Sequence, residues 1–336
     1  MQRNLAPDPR ALESVLGDAI AERARLLAGE HEGALRLFNG FLEGCPDLVI
    51  DLYGDTVVLQ NYADPPERAA DLLAIATRTV QLTLPWVRSG LTKTRNSPDD
   101  AERRGVIAFG DQLTTRIREH GIWFAIDLTL HQDCSFYLDT RELRLWATQN
   151  LTDKTVLNAF SYTGSLGVAA LGGGARRVIQ LDRNRKFLEL ASASSKLNGF
   201  DVRREDFIRA DFFRAAGGMR RRGETFDCVF LDPPFFSSTA AGVVDQQTQS
   251  ARLIDKVRPL VAHGGWLVAI NNAVYVSGAS YMRTLEKVCA GGYLDVEELI
   301  PVPVDFVGYN RRNPAGWLVD PAPFNHSTKI ALLKIR

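Results

Sequence analysis

Val156-Leu157-Asn158-Ala159-Phe160-Ser161-Tyr162-Thr163-Gly164-Ser165-Leu166-Gly167 passes from a short apolar run into a loop with few bulky side chains and then into a helical pattern. That order places the loop at the carboxyl end of a parallel strand, where open α/β sheets bind ligands. A nicotinamide dinucleotide needs its pyrophosphate against the backbone at a helix start, hence G-x-G-x-x-G. Only Gly164 and Gly167 are present here, and the missing first glycine argues against such a cofactor. A ligand without phosphate, such as S-adenosylmethionine (SAM), needs only room for its amino-acid end. A plain tight turn is the alternative.

Working outward, helix and strand alternate from Asp139 onward, which predicts a parallel sheet with helices on both faces. The expected strands are 155–159, 177–181, 207–210, 228–231, 266–270, 296–302 and 329–335. The expected helices are 141–149, 165–172, 185–197, 247–261 and 280–290. The fold class is therefore α/β, a doubly wound seven-stranded sheet over residues 131–336. Ahead of it, residues 1–130 read as a smaller α+β domain, expected to bind substrate. It opens on an amphipathic helix over 9–28, and strands at 35–38, 47–53, 56–60, 106–109, 114–119 and 122–128 follow, with a helix over 66–82.

The strand ends carry the chemistry. Asp182 follows the second strand, 18 residues after Gly164, where a carboxylate can accept both hydroxyls of a ribose. It could instead cap the next helix. Asp211 and Phe212 end the third strand, suited to an adenine amino group and ring, or to a capping aspartate. Asp232-Pro233-Pro234-Phe235-Phe236 follows the fourth: two prolines stiffen the loop, an acceptor stands at the strand end, and rings that can stack a flat base come next. Asn271-Asn272 ends the fifth, with amides able to read a base edge.

Composition excludes other classes. With 45% hydrophobic and 24% charged residues, the chain is an ordinary globular one. Four cysteines separated by 89, 94 and 61 positions form no metal or redox pair. Charges through the first thirty residues exclude a secretory signal, and no apolar run reaches the roughly 18 residues of a membrane span, so a cytoplasmic protein is expected. Net charge is zero, but residues 1–130 carry 14 Lys+Arg against 19 Asp+Glu, and residues 131–336 carry 26 against 21. A polyanion would meet the second half first. The cluster Arg203, Arg204, Arg209, Arg214, Arg220, Arg221 and Arg222 reads first as a solvated face and second as a phosphate-binding one.

With these motifs aligned, the chain resembles the ribosomal RNA large-subunit methyltransferases, SAM-dependent class I enzymes acting on 23S rRNA. The resemblance covers residues from about 34 to 336 and rests on Leu37-Phe38-Asn39-Gly40, Val49-Ile50-Asp51-Leu52-Tyr53-Gly54, Phe136-Tyr137-Leu138-Asp139-Thr140-Arg141, Asn158-Ala159-Phe160-Ser161-Tyr162-Thr163-Gly164 and Asp232-Pro233-Pro234. It implies a seven-stranded class I methyltransferase sheet, SAM as cofactor, and Tyr137, Asp139 and Arg141 in the SAM pocket; Asp139 and Arg141 could equally be an ion pair at a helix start. Two departures bear on the substrate. Cytosine-5 methylation requires a thiolate, carried by those relatives after the fifth strand, where this chain has Asn271-Asn272-Ala273. The guanine-N7 relatives have Asn-Asn there. The RNA-binding PUA module of many cytosine-modifying relatives is also not found.

The expected function is a SAM-dependent methyltransferase, acting on a base nitrogen of 23S ribosomal RNA by direct displacement and without a metal. Asp232, Pro233, Phe235 and Asn271 would serve the acceptor. Tyr137, Asp139, Arg141, Phe160, Tyr162, Gly164, Asp182, Asp211 and Phe212 would hold SAM. A small-molecule methyltransferase and a catalytically silent RNA-binding factor share the fold and are the alternatives. The oligomeric state is open, a homodimer included.

Overall fold

The computed structural model describes residues 9–27, 29–307 and 318–336. The described residues of Met1–Gly121, Ile126–Leu138 and Val304–Gly316 form one compact unit, and those of Ile122–Ala125, Asp139–Pro303 and Trp317–Arg336 form a second. The boundary falls at Leu138/Asp139 rather than near residue 130, because residues 126–138 bond back into the first unit. The Ile126 N–H donates to the Thr115 carbonyl at 2.8 Å and Lys93 Nζ to the His131 carbonyl at 2.7 Å.

The first unit is a five-stranded sheet in sequential order, built from β1 (Ala34–Phe38), β2 (Leu48–Tyr53), β3 (Thr56–Asn61), β4 (Ser89–Thr94) and β5 (Val106–Phe109). Only the β3/β4 pair is parallel. The helices α1 (Pro9–Ala24) and α2 (Ala70–Thr83) bury Leu12, Leu16, Ile20, Ala76 and Val80 in one core with the strands. The expected end of the first helix at Ala28 lies outside the described residues. Helix α3 (Asp100–Arg104) and strand β6 (Arg116–Glu119) complete the unit, with a turn of helix at Val304–Val307. Strand β4 escapes sequence reading because Ser89-Gly90-Leu91-Thr92-Lys93-Thr94 has no apolar alternation. It forms where Lys93, fully buried, can spend its ammonium on the carbonyls of Arg104 and His131.

The second unit contributes β7 (Ile122–Ala125), α4 (Arg141–Asn150), β8 (Thr155–Ala159), α5 (Ser165–Gly172), β9 (Arg177–Asp182), α6 (Arg185–Leu197), β10 (Phe207–Arg209), α7 (Phe212–Arg221) and β11 (Phe226–Leu231). A hairpin of β12 (Phe236–Thr239) and β13 (Gly242–Asp245) follows, then α8 (Ser250–Val257), β14 (Val261–Asn271), α9 (Gly278–Cys289), β15 (Leu294–Ile300) and β16 (Lys329–Ile335). The seven-stranded sheet runs β10-β9-β8-β11-β14-β16-β15, and β16 alone is antiparallel to the rest.

Register explains the stability of this sheet. Ile179, Leu157, Val229, Leu267 and Leu333 stand side by side across five strands, each at most 4% exposed. Each such side chain contributes about 1.5–3 kcal/mol by leaving water. From β8 the chain moves outward to β9 and β10, then returns to lay β11 on the other side of β8, so the switch point lies between β8 and β11. The apolar row Leu181, Ala159, Leu231 is the last before the carboxyl ends. Asp182, Phe160 and Asp232 follow it, one residue on in each strand.

Several elements of the second unit depart from expectation. Helix α7 was not expected, the hairpin β12/β13 intervenes after β11, β7 was expected in the first domain, β14 starts at Val261 rather than at 266, and α8 spans Ser250–Val257 rather than 247–261. The Asp245 carboxylate accepts from the N–H groups of Gln247 and Thr248, at 2.9 and 3.3 Å, and so holds those residues in a turn.

Candidate active site at the switch point

The loop after β8 is bent by three left-handed residues, Phe160 (φ 57°), Tyr162 (φ 51°) and Gly164 (φ 81°). Such angles strain non-glycine residues and persist only where the surroundings enforce them. Strand β9 enforces them here. The Ser161 N–H donates to the Leu181 carbonyl at 2.9 Å and the Tyr162 N–H to Asp182 Oδ2 at 2.9 Å. Gln180 Nε2 donates to the Gly164 carbonyl at 3.1 Å, while Gln180 Oε1 accepts from Asn158 Nδ2 at 2.9 Å. Gly164 and Gly167 have no room for a side chain: a β-carbon on Gly167 would lie 2.3 Å from Gln180 Nε2, and one on Gly164 2.4 Å from Ala191 Cβ.

Asp182 does not cap α6. Asn184 does, accepting from the Lys186 N–H at 2.9 Å. Asp182 instead collects the N–H groups of Tyr162 and Asn184 and stays part-buried; burial, opposed by those hydrogen bonds, raises its pKa. Asp211 takes the capping alternative, accepting from the Arg214 N–H at 3.2 Å, with its other oxygen on Thr239 Oγ1 at 2.8 Å. Phe212 is a correction. Its ring is 4% exposed and packs against Phe160 at 4.4 Å and Phe213 at 5.1 Å, so it belongs to the core and offers no face to a base.

On the other side of the switch point, Asp232 is half-buried and makes no hydrogen bond, and Asp139 is its charged neighbour. Burial and that second carboxylate push Asp232 up to about 7. Asp139 itself accepts from Thr328 Oγ1 at 2.8 Å, and Arg141 begins α4. Pro233 is buried, while Phe235 and Phe236 are 45% and 61% exposed. Asn271 is the second correction. It is 1% exposed and turns its amide inward, Nδ2 donating to the Gln246 carbonyl at 2.9 Å and to Ser250 Oγ at 3.0 Å, Oδ1 accepting from the Ala273 N–H at 3.1 Å. It shapes the loop and cannot touch an acceptor. Tyr137 belongs to the first unit, its hydroxyl donating to Asp133 Oδ2 at 3.2 Å.

Sequence reading missed three buried polar residues. Gln180 stands mid-strand, where its amide braces the loop. Gln246 joins the Asp-Pro-Pro loop to the segment after β14: its side chain donates to the Pro233 carbonyl and accepts from the Asn272 N–H at 2.6 Å. Lys329, buried and lowered to about 8 by desolvation, donates to the carbonyls of Ala273 at 3.0 Å and Ser327 at 2.5 Å. A polar residue interrupting an apolar strand was a signal for Gln180 alone, since Gln246 follows β13 and Lys329 begins β16.

The residues fit SAM. The buried Ser161 hydroxyl and Asn158 Oδ1 have no hydrogen-bond partner, and buried polar atoms are ordinarily satisfied. A ligand's amino-acid end at this loop would supply partners to the hydroxyl, and Asp182 stands beside it. Among the described residues no group of three or more His, Cys, Asp or Glu could hold a metal ion, and no helix is long and apolar enough to cross a membrane.

A family model described as S-adenosylmethionine-dependent methyltransferase matches residues 45–306. The ribosomal RNA large subunit methyltransferase I of Aeromonas salmonicida is 32% identical over 262 residues, 77% of this chain and 65% of that protein. The protein of the same name from Aliivibrio fischeri is 30% identical over 291 residues, 85% and 70% of the two chains. Among solved structures, SMU.776 in complex with SAH superposes with a TM-score of 0.85 over 99% of this chain and 83% of that one. At 21% identity that likeness speaks to the fold alone, and the fold is the expected α/β methyltransferase sheet with a smaller N-terminal unit.

Proposed function

The chain belongs to the S-adenosylmethionine-dependent methyltransferase family, and from that premise we propose that it transfers the methyl group of SAM to a base nitrogen of 23S ribosomal RNA by direct displacement, in the cytoplasm. The Aeromonas and Aliivibrio relatives carry the name of a ribosomal RNA enzyme, which supports RNA as substrate. When bound, SAM supplies an electrophilic methyl carbon. The chain's own residues do the rest by binding and orienting. Asp182 accepts the ribose hydroxyls, and Asp211, held by its helix and by Thr239, keeps lone pairs for the adenine amine. Phe160, Ser161, Tyr162, Gly164, Asp139 and Arg141 enclose the methionine end. Asp232 receives an N–H of the acceptor base and Phe235 stacks on its face, so that positioning supplies most of the rate.

The observation that favours nitrogen over carbon is the placing of the four thiols. Carbon-5 methylation of cytosine needs a thiolate that can add to the ring. Cys228 is fully buried mid-strand in β11, Cys289 sits at the end of α9, and Cys45 and Cys134 are buried in the first unit. Burial raises the pKa of all four. Mass spectrometry of 23S rRNA nucleosides from cells with and without the gene tests the proposal. Loss of one N-methylated nucleoside is expected; loss of 5-methylcytidine, or no loss, overturns it.

A further inference from the structure

We infer that Gln246 is a positioning residue for the acceptor side of the site, an inference that rests on the methyltransferase reading above. The side-chain amide and backbone groups of Gln246 bond to the two loops that flank the acceptor position, and its carbonyl also accepts from Ser250 Oγ at the start of α8, at 2.8 Å. Its backbone N–H donates to the Phe235 carbonyl at 3.0 Å and its side-chain Nε2 donates to the Pro233 carbonyl, both on the loop after β11. Its Oε1 accepts from the Asn272 N–H at 2.6 Å, just after β14, and its backbone carbonyl accepts from Nδ2 of Asn271, the last residue of β14, at 2.9 Å. The residue is 1% exposed, so these bonds are made away from competing water.

Its place in the chain gives the clamp a purpose. The hairpin β12/β13, a separate two-stranded sheet, runs from Phe236 to Asp245, and Gln246 closes its base. Near the tip, Thr239 Oγ1 donates to Asp211 Oδ2 at 2.8 Å, and a β-carbon on Gly242 would lie 2.6 Å from the Phe213 ring. One hairpin is therefore anchored on the adenosine side by Thr239 and on the acceptor side by Gln246, and it carries Phe236 with Phe235 at its foot. The bond to the Pro233 carbonyl holds the residue next to Asp232, whose carboxylate makes no hydrogen bond. Gln246 fixes both where that carboxylate stands and how far it is from the Asn272 segment.

Three variants test this: Gln246→Met, which keeps the shape and both backbone bonds but loses the amide; Gln246→Glu, which keeps an oxygen for Asn272 and loses the donor to Pro233; and Gln246→Ala. Each is compared with the wild type for SAM affinity by calorimetry, for methyl transfer to a 23S rRNA transcript, and for hydrogen exchange. Gln246→Met is expected to bind SAM within threefold of wild type, to lose at least tenfold in kcat, and to exchange the Asn272 and Phe236 amides at least tenfold faster while the Phe160–Gly164 loop is unchanged. Gln246→Glu should recover part of the Asn272 protection. Wild-type exchange or wild-type kcat in Gln246→Met overturns the inference, as does equal loss of SAM affinity, which would make the residue a general support. A wild-type protein that fails to bind SAM overturns the methyltransferase reading and this one with it. A wild type that binds SAM but leaves the transcript unmethylated overturns the RNA reading only, and exchange alone then decides for Gln246.

Discussion

Gln180 and Gly164 are locked together: the glutamine Nε2 donates to the glycine carbonyl at 3.1 Å, and a β-carbon on Gly164 would stand 2.9 Å from that same nitrogen and 2.4 Å from Ala191 Cβ. The loop's conformation is thus imposed from β9 and α6 rather than chosen by the loop. A glycine that reads as a cofactor mark in sequence is explained by packing, and the packing delivers a preformed loop to the cofactor.

Gly164→Ala should therefore injure both stability and binding. The left-handed φ costs roughly 1–2 kcal/mol for a residue with a side chain, and crowding against Ala191 adds about 1–3 kcal/mol. Denaturant unfolding should show a loss of that order, and calorimetry a SAM affinity down by at least tenfold. A variant of wild-type stability with wild-type binding would show that the loop is not held from behind.

Asp182→Ala should weaken SAM by about ten-fold to over a hundred-fold, since a hydrogen bond to a charged group is worth about 1.5–3 kcal/mol. Asp182 also receives the Tyr162 N–H, so some of the loss comes from a loosened loop. Unchanged affinity in the folded variant would remove Asp182 from the ribose position.

The strand ends were legible in sequence because alternation of helix and strand fixes where carboxyl ends fall, and Asp182 and Asp232 stand at those ends as expected. Phe212 and Asn271 misled for a physical reason. A residue at a strand end can turn either way, and sequence does not say that α7 begins at Phe212 and draws its ring under Phe160, or that Gln246 waits beneath Asn271. The roles of Gln180, Gln246 and Lys329 were hidden because each braces backbone groups distant in sequence, at Gly164, Pro233 with Asn272, and Ala273, which leave no pattern. The hairpin β12/β13, with its Ser, Thr and Ala-Gly turn, reads as loop until Asp211 and Phe213 are seen to hold it.

Asp232 should titrate in both activity and stability. Its folded pKa of about 7 stands above the roughly 3.9 of an unfolded aspartate, so between those values the folded protein binds the proton more tightly. Stability from this group is full below the unfolded value and is lost as pH rises through the folded one. Asp232→Asn should raise the Tm at pH 8 relative to wild type, with the difference fading by pH 5. Wild-type turnover should climb through pH 7 as the carboxylate forms, while Asp232→Asn loses turnover with SAM affinity within a few-fold. A Tm difference independent of pH would show that Asp232 is ordinary in the folded protein.

A Cys228→Ser, Cys289→Ser double variant should keep kcat within about twofold, because neither thiol faces the switch point. Intact-protein mass spectrometry during turnover should show no enzyme–RNA adduct. Abolished transfer in a folded double variant would return cytosine carbon-5 as the target.

Salt dependence should separate RNA from a small acceptor and locate the RNA. Each phosphate contact adds about 0.7–0.9 to the slope of log binding constant against log salt. The basic cluster is split by α7: Arg209 ends β10 beside Asp182 and Arg214 stands in the first turn of the helix, whereas Arg220, Arg221 and Arg222 lie at its far end, roughly 10 Å or more away at 1.5 Å per residue. All five are exposed, and Arg222 is further engaged by Glu224 at 2.5 Å. Arg209→Ala with Arg214→Ala should therefore flatten the slope by one to two units, and the triple variant at 220–222 should flatten it less. Phe235→Ala should raise the apparent acceptor constant without changing the slope, by a stacking loss of about 1–3 kcal/mol. A slope near zero in the wild type, indifferent to all five arginines, would point to an uncharged small acceptor at the same Asp232.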